Sequence, residues 1–308
     1  MPLGIKPTVD FAFKKIFGSE ENTAILLGLL NAILELPCPI VHVRILNPFS
    51  YKDFEEEKQV VLDVRAKDSD DRQLNVEMQV AVFSGLLQRL AYYACRVYLE
   101  QLEAGQNYAD LRQAISICLL RQVLFAHSPA PHHHFRLVDT KQGMELPEAI
   151  EVHTVELPKY NVDVQSLSKA TPIERWVFFF LYADQYEPEQ LRELLPDAEF
   201  QQAVTVIEAI AAKTEDRNMY DDREKAQRDY LWAMEGARKE GIEVGMEKGI
   251  EKGREEGREE GVVAGKIQLF QELLGEESST TDSLLQRSMD ELSSMLSDLQ
   301  QRLRSRGE

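Results

Sequence analysis

Two carboxylates and an amide share one polar row in residues 60–80, "VVLDVRAKDSDDRQLNVEMQV". Apolar and polar residues alternate twice in this stretch, which predicts two half-buried β-strands. The odd positions carry Asp63, Glu77 and Gln79, whereas the even positions are apolar. Strands that otherwise resemble core material therefore place groups able to do acid, base or metal chemistry on a single face.

The register of this hairpin decides whether the two acids meet. Directly opposed residues of antiparallel strands point to the same face, so odd positions must pair with odd positions. A three-residue loop over 69–71 satisfies this parity and sets Asp63 opposite Glu77. Their Cβ atoms would then lie about 4.5–5.5 Å apart. Carboxylates this close repel each other, and Mg²⁺ or Mn²⁺, which prefer oxygen ligands, would relieve the repulsion.

An ordinary solvated face is the alternative interpretation, since any half-exposed strand alternates in this way. Two observations count against it. The opposite face of both strands is unusually apolar, and Arg65 and Lys67 are not placed to neutralise the acidic pair.

The elements around the hairpin are predicted from periodicity and capping signals. Thr171, Pro172 and Glu174 form a capping box with proline at the first helical position, which predicts a helix start. Predicted helices are "VDFAFKKIF", "ENTAILLGLLNAILEL" and "FSGLLQRLAYYACRVYLEQLEAG", and predicted strands are "VHVRILNPFSY", "AISICLLRQVLF", "HFRLVDT" and "AIEVHTVEL". This order of elements predicts a mixed α/β (α+β) domain over residues 1–215.

The C-terminal part of the chain has a different composition. Glycine recurs every fourth residue from 241 to 265 in a Glu/Lys/Arg background, which predicts a charged helix over 241–266 after a helical connector over 216–240. Residues 267–308 are typical of a small tail of two amphipathic helices that docks on a second copy or on the main domain. The glycine stripe either packs against a second chain, giving a homo-oligomer, or belongs to a solvated spacer.

Composition limits the function classes. Lys and Arg total 35 against 53 for Asp and Glu, a net charge of -18 among 308 residues, which disfavours broad adhesion to nucleic acid or to an anionic membrane. Cys38, Cys95 and Cys118 lack metal-ligand spacing and are typical of buried thiols in a reducing compartment. No signal core or membrane-spanning apolar run is found, so a cytoplasmic protein without membrane contact is expected.

The ordered set of motifs resembles a known family. An Asp on one strand, E-x-Q on the next and flanking helices resemble the PD-(D/E)XK nuclease core, a restriction-endonuclease-like mixed sheet flanked by helices. More specifically, "DFAFKKIFG", "LLNAIL", "LDVRAKD", "NVEMQ", "QRLAYYACRVY" and the glycine-repeat tail are similar to the Rpn recombination-promoting nucleases, also labelled putative transposases. The resemblance covers roughly residues 5–265.

The resemblance implies metal-dependent hydrolysis of DNA phosphodiesters. Asp63 and Glu77 match the acidic metal ligands, and Met78 would add its backbone carbonyl. Gln79 stands where the superfamily most often has lysine, so it can hydrogen-bond the attacking water but brings no positive charge. The Rpn pattern itself is ExQ, so this difference does not mark a dead site.

Further candidate residues have structural alternatives. Asp10 matches an acidic family position or caps the first helix, and Glu21 is either a first-helix acid of these nucleases or a helix-start charge. Gln88, Arg89 and Tyr92 follow the hairpin at helical spacing and could contact DNA phosphate, or belong to a helix with buried aromatics. The run His132, His133 and His134 is typical of a loop, because adjacent residues rarely converge on one metal, and Phe178, Phe179 and Phe180 are typical of core.

Three functions of different classes follow. The first is an Mg²⁺-type DNA endonuclease of the recombination-promoting or transposase-like type. The second is a DNA-binding accessory protein of transposition whose nuclease site has decayed. The third is an interaction scaffold in which the glycine-periodic helix drives self-association.

Overall fold

A mixed six-stranded sheet forms the centre of the computed structural model, which describes residues 1–55, 64–103 and 105–306. Its strand order is β1-β2-β3-β4-β6-β5. β4 runs parallel to β3 and to β6, and the other neighbouring strands are antiparallel. The strands are β1 (Val43–Ile45), β2 (Val64–Asp68), β3 (Gln73–Gln79), β4 (Ala114–Leu120), β5 (His132–Arg136) and β6 (Ile150–Glu156).

The β2–β3 hairpin has the predicted register wherever the structure describes it. Lys67 lies opposite Gln73 and Val64 opposite Val76, so odd positions pair with odd and the connecting loop covers 69–71. Asp71 takes a positive φ of 64°, as three-residue hairpin loops require. The Asp68 carboxylate accepts backbone N–H bonds from Asp70 at 3.0 Å and Arg72 at 2.9 Å, which stabilises this loop.

A layer of helices covers the apolar face of the hairpin. Val64, Val76 and Met78 are buried there, in the same core as the aromatic rings of the helices. The ring centroids of Trp176 and Phe200 are 4.3 Å apart, and Phe178 to Phe180 are buried as predicted. The helices of this layer are α1 (Asp10–Phe17), α2 (Thr23–Leu34), α5 (Pro172–Tyr182), α6 (Pro188–Leu194) and α7 (Ala198–Ala212), and a short α3 spans Lys52–Glu55.

The opposite face is covered by α4 (Leu86–Leu99). Its buried residues Leu86, Leu90, Ala94 and Val97 recur every three or four positions and form one apolar stripe. Gly85 precedes the helix with a φ of 90°, a conformation that side chains other than glycine rarely adopt. The polar row of β3 is therefore not a solvated face.

The α/β fold class is confirmed, with differences at particular residues. The predicted strand "HFRLVDT" is displaced, because β5 begins at His132, so the histidine run lies in a strand and not in a loop. The capping box at Thr171 and Glu174 forms as predicted. The prediction of three buried thiols was wrong for Cys38 and Cys95, which are exposed, and correct for Cys118.

The chain divides into two compact units, Met1–Leu231 and Trp232–Glu308. The glycine-periodic segment is helical, within α8 (Thr214–Leu274). The tail forms α9 (Thr281–Leu285) and α10 (Met289–Ser305), whose leucines pack with Ala264 and Ile267 at the end of α8. The predicted docking of the tail on a second copy or on the main domain stays a prediction, as do the predicted bounds at 215, 240 and 266.

Candidate active site

Glu77 is a buried carboxylate in the middle of a sheet. It lies on β3 with 1% of its surface exposed, on the face that α4 covers. Burial disfavours an ionised carboxylate unless other groups compensate its charge. The partners of Glu77 therefore determine what this position can do.

Gln79 and Arg89 are two of those partners. The Nε2 of Gln79, two residues further along the same face, donates to Glu77 Oε1. Arg89, one turn into α4, places its Nη2 at 3.1 Å from the same oxygen. The guanidinium also lies over the rings of Phe83 and Tyr93, at 5.7 and 5.2 Å from their centroids. The positive charge that glutamine does not supply at position 79 thus comes from the neighbouring helix.

Asn75 continues the polar row on the other side of Glu77. It is 1% exposed, and neither its Oδ1 nor its Nδ2 has a hydrogen-bond partner among the described residues. Burial of an amide without partners costs about 1–3 kcal/mol, so native structures rarely contain one unless it serves a ligand or a water. Packing against α4 would be served better by apolar side chains, so the polar row of Asn75, Glu77 and Gln79 indicates a role other than packing.

A cavity of about 310 Å³ opens beside Gln79 and Arg89. Asp10 and Arg223 line it as well. Asp10 is the first residue of α1 and does not cap it, because among the described residues its Oδ1 accepts only from the N–H of the adjacent Phe11, at 2.8 Å. Its Oδ2 accepts from Arg223 Nε at 2.7 Å and also from Arg223 Nη2. The favoured prediction of a helix cap was therefore wrong, and the fold does bring Asp10 to the cavity that Gln79 lines.

Arg223, Thr8 and Gln227 are lining residues that the sequence did not point to. Arg223 lies in α8, 213 positions from Asp10, in a charged helix where its spacing does not set it apart. The Thr8 hydroxyl accepts a hydrogen bond from Arg121 Nη1 at 3.3 Å. In this part of the sequence only Asp10, two positions further on, was a candidate site residue.

The remaining predicted residues are placed as follows. Met78 buries its side chain on the opposite face of β3. Glu21 is exposed in a short 3-10 turn and is not among the residues that line the cavity. Gln88 and Tyr92 are exposed on α4, so the alternative of a helix with buried aromatics was wrong for Tyr92. Asp63 lies outside the described residues, so its position opposite Glu77 stays a prediction.

Basic side chains near the hairpin are paired with acids. Arg65 contacts Glu100 at 2.9 Å and Lys67 contacts Asp71 at 2.7 Å, so neither neutralises Glu77, as predicted. The two line a polar cavity of about 390 Å³ together with Arg44 and Arg112. The acids Asp71, Glu100 and Asp110 share this cavity. Its walls therefore carry both signs of charge.

Comparison with known proteins identifies the class and then the family. A mixed sheet with flanking helices, carrying a buried glutamate and an E-x-Q strand, is consistent with the PD-(D/E)XK nuclease fold. The sequence model of the family described as PD-(D/E)XK nuclease family transposase matches residues 7–237. The chain belongs to this family, which confirms the resemblance noted in its motifs. Searches of curated proteins and of solved structures return no match.

Family membership supports a nuclease or transposase-like function and implies a DNA substrate. Nucleases of this superfamily usually use divalent metal ions. Among the described residues, no helix is both long and apolar enough to cross a membrane.

Proposed function

We propose that the protein is a metal-dependent DNA endonuclease that hydrolyses phosphodiester bonds, of the recombination-promoting type, and that it uses Mg²⁺ or Mn²⁺. The observation that carries the proposal is the buried Glu77 carboxylate, whose hydrogen-bond partners Gln79 and Arg89 both line the cavity. Asp63 and Glu77 hold the metal in this proposal, together with the backbone carbonyl of Met78.

The residues present suit a hard divalent cation. The donors are carboxylate, amide and backbone oxygens, which Mg²⁺ and Mn²⁺ prefer. Backbone groups of a strand alternate between its two neighbours. The Gln79 carbonyl accepts from Arg121 N at 2.9 Å, on the β4 side, so the Met78 carbonyl turns to the β2 side. The orphaned amide of Asn75 on the same row is a further polar group that a hydrated ion would satisfy.

Gln79 and Arg89 have distinct tasks in the proposed reaction. When bound, the metal acidifies the attacking water and stabilises charge on the leaving oxygen. Gln79 donates its N–H to Glu77, which turns its amide oxygen toward other donors and allows it to orient that water. Arg89 holds the Glu77 carboxylate and supplies a positive charge beside it.

Plasmid nicking tests the proposal. The full-length chain should nick supercoiled DNA in Mg²⁺ or Mn²⁺ and not in a chelator. Asp63→Ala and Glu77→Ala should abolish nicking, whereas Glu21→Ala, which changes an exposed acid away from the cavity, should not. Equal nicking by wild type and by both hairpin variants would identify a contaminating nuclease and refute the assignment.

A DNA-binding accessory protein with a decayed site is the second candidate. The observation that favours it is Arg89 itself, because a guanidinium already occupies one oxygen of the proposed metal ligand. DNA binding in the presence of metal without any cutting would support this candidate over the nuclease.

DNA contacts are proposed for Gln88, Arg89 and Tyr92. Gln88 and Tyr92 are exposed on α4, on the face of the sheet that carries Glu77. An exposed tyrosine can stack on bases and an amide can contact phosphate. Tyr92→Ala should weaken DNA binding more than Leu99→Ala, which changes an exposed residue at the C-terminal end of α4.

A homo-oligomer through the C-terminal helices is also proposed. A Cβ added at any glycine from 241 to 265 would meet no other heavy atom of the described chain within 4 Å, so the stripe is open to a partner helix. Ile242, Met246 and Ile250 are exposed apolar residues of the same segment, which a second copy would cover. A cytoplasmic location stays a prediction.

A further inference from the structure

The β5–β6 strand pair carries a second group of polar side chains, on the sheet face opposite Glu77. Antiparallel pairing sets His134 directly opposite His153, and Glu151 lies two residues from His153 on the same strand and face. This face is the one on which Val155 joins the main core. The group is therefore separate from the candidate active site.

One carboxylate oxygen lies between two imidazole nitrogens. Glu151 Oε2 is 3.0 Å from His134 Nε2 and 3.6 Å from His153 Nε2. The three donor atoms all lie within 4.8 Å of one another. Tetrahedral zinc with bonds of about 2.0–2.2 Å places its ligand atoms about 3.4 Å apart, so the spacing suits one ion.

The buried member of the group has an unused donor atom. His153 is 2% exposed, and its Nε2 has no hydrogen-bond partner among the described residues. Its other nitrogen, Nδ1, is 2.9 Å from His132 Nε2. When Nδ1 carries the proton and donates to His132, Nε2 presents a lone pair toward the Glu151 carboxylate, and a cation between them would satisfy both groups.

The surrounding side chains support ligand geometry. Gln113 Nε2 donates to Glu151 Oε1 at 2.9 Å, which leaves Oε2 facing the imidazoles. Second-sphere hydrogen bonds of this kind orient metal ligands in known sites.

We propose that His134, Glu151 and His153 form a Zn²⁺ site that ties β5 to β6, with His132 as a positioning residue and a water at the fourth position. Two imidazoles and one carboxylate favour Zn²⁺ over Mg²⁺ or Ca²⁺, which prefer oxygen ligands alone. His134 keeps 36% of its side chain exposed, so solvent and the ion reach the site.

Zinc titration of the full-length protein, freed of metal with a chelator, tests the proposal. Calorimetry or a competing indicator dye should give one more bound Zn²⁺ per chain in wild type than in His134→Ala, and zinc should raise the melting temperature of wild type. His134→Ala and Glu151→Gln should lose both effects. His132→Ala should weaken binding about 10- to 100-fold, as loss of an outer partner does at other sites. His127→Ala, which removes an exposed histidine outside the group, is the matched control.

Co²⁺ bound in place of Zn²⁺ adds a second measurement, because its visible absorption depends on the ligands of the ion. A variant that changed only the stability of the strand pair would not change this absorption. Tetrahedral nitrogen and oxygen coordination should give visible d–d absorption in wild type and in Glu77→Gln, but not in His134→Ala. Because His134 is partly exposed, His134→Ala should disturb folding less than a change at the buried His153, and circular dichroism should show wild-type secondary structure. No zinc binding by wild type, or equal binding by wild type and His134→Ala, would overturn the proposal without bearing on DNA cleavage.

Discussion

Arg89 reaches from α4 to the Glu77 carboxylate on β3, with 3.1 Å between Nη2 and Oε1. The Arg89 side chain is partly exposed, with 38% of it accessible, whereas the Glu77 side chain is 2% accessible. Glu77 is thus buried on the sheet, whereas Arg89 lines the cavity. This arrangement compensates a buried charge and leaves a positive group at the site's surface.

The pair predicts how Arg89 variants behave in DNA cleavage. Arg89→Ala should lower the metal-dependent nicking rate by about 10- to 100-fold, because loss of a ligand's hydrogen-bond partner typically costs that much. Arg89→Lys, which keeps the charge but loses the planar fork, should fall in between. Rates of plasmid nicking at saturating Mg²⁺ measure the effect.

Arg96→Ala is the control for Arg89, since Arg96 lies two turns along the same helix and pairs with the exposed Glu100. It should cleave like wild type. Faster cleavage by Arg89→Ala than by wild type would mean that the guanidinium blocks the metal position, and would favour the decayed-site candidate.

Asp10 and Arg223 predict a stability effect. Asp10 is 8% exposed and accepts two hydrogen bonds from the Arg223 guanidinium. Arg223→Ala should lower the free energy of unfolding by about 1–3 kcal/mol, because it leaves a buried carboxylate without its charged donor. Denaturant unfolding measures the change.

The rate of DNA cleavage, divided by the amount of folded protein, separates this structural role of Asp10 from a role in catalysis. If the carboxylate mainly positions α1 through Arg223, Asp10→Asn should still cleave DNA. Arg228→Ala is a matched control for Arg223→Ala, because it removes an exposed arginine of the same helix. Loss of cleavage in Asp10→Asn with unchanged unfolding would instead place Asp10 in the active site.

The hairpin shows how far local rules extend. Its register followed from a side-chain period of two and a three-residue loop, both of which depend on neighbouring residues only. The burial of its polar row did not follow, because alternation cannot tell whether α4 or solvent covers a strand face. The sequence therefore predicted that Asn75, Glu77 and Gln79 share a row but not that all three are buried.

Contacts between segments far apart in the chain could not be predicted from the sequence. Asp10 and Arg223 are 213 positions apart, and a charged helix offers many arginines that could fill that position. The register of β5 against β6 depends on the long connection over 137–149, so His134 could not be assigned to His153. The argument against adjacent histidines considered neighbours along the chain only, so it did not include the cross-strand pair of His134 and His153.

The open glycine stripe predicts how α8 variants change the mass in solution. If the stripe packs against a second chain, Gly249→Leu should shift the protein toward the monomer, as should truncation after Leu231, where the first compact unit ends. Light scattering measures the mass. Lys252→Leu places the same leucine side chain at an exposed position off the stripe and should leave the mass unchanged.

An unchanged mass in Gly249→Leu and in the truncated chain would identify α8 as a solvated spacer. In that case Gly249→Ala should raise helix stability by about 0.5–1 kcal/mol, because the added methyl group reduces backbone entropy and meets no clash.

Asp216 predicts a pH-dependent contribution to stability. It is 1% exposed, accepts from the Tyr51 hydroxyl at 2.7 Å and from Lys15, and lies in the first turn of α8. Burial alone would raise the pKa of Asp216, but the hydrogen bonds from Lys15 and Tyr51 outweigh it, so the pKa lies below its usual 3.8. A depressed folded-state pKa stabilises the protein above the unfolded value and loses this effect as pH falls through the folded value.

Asp216→Asn should therefore lower the free energy of unfolding by about 1.5–3 kcal/mol at neutral pH, and the difference from wild type should shrink as pH falls below about 4. Urea unfolding at a series of pH values measures both. Asp221→Asn is the matched control, because Asp221 lies on the same helix in an exposed pair with Arg217 and should change stability by less than about 1 kcal/mol. A difference that stays constant or grows toward low pH would show that the charge of Asp216 does not stabilise the fold, since a neutral aspartic acid would then serve as well.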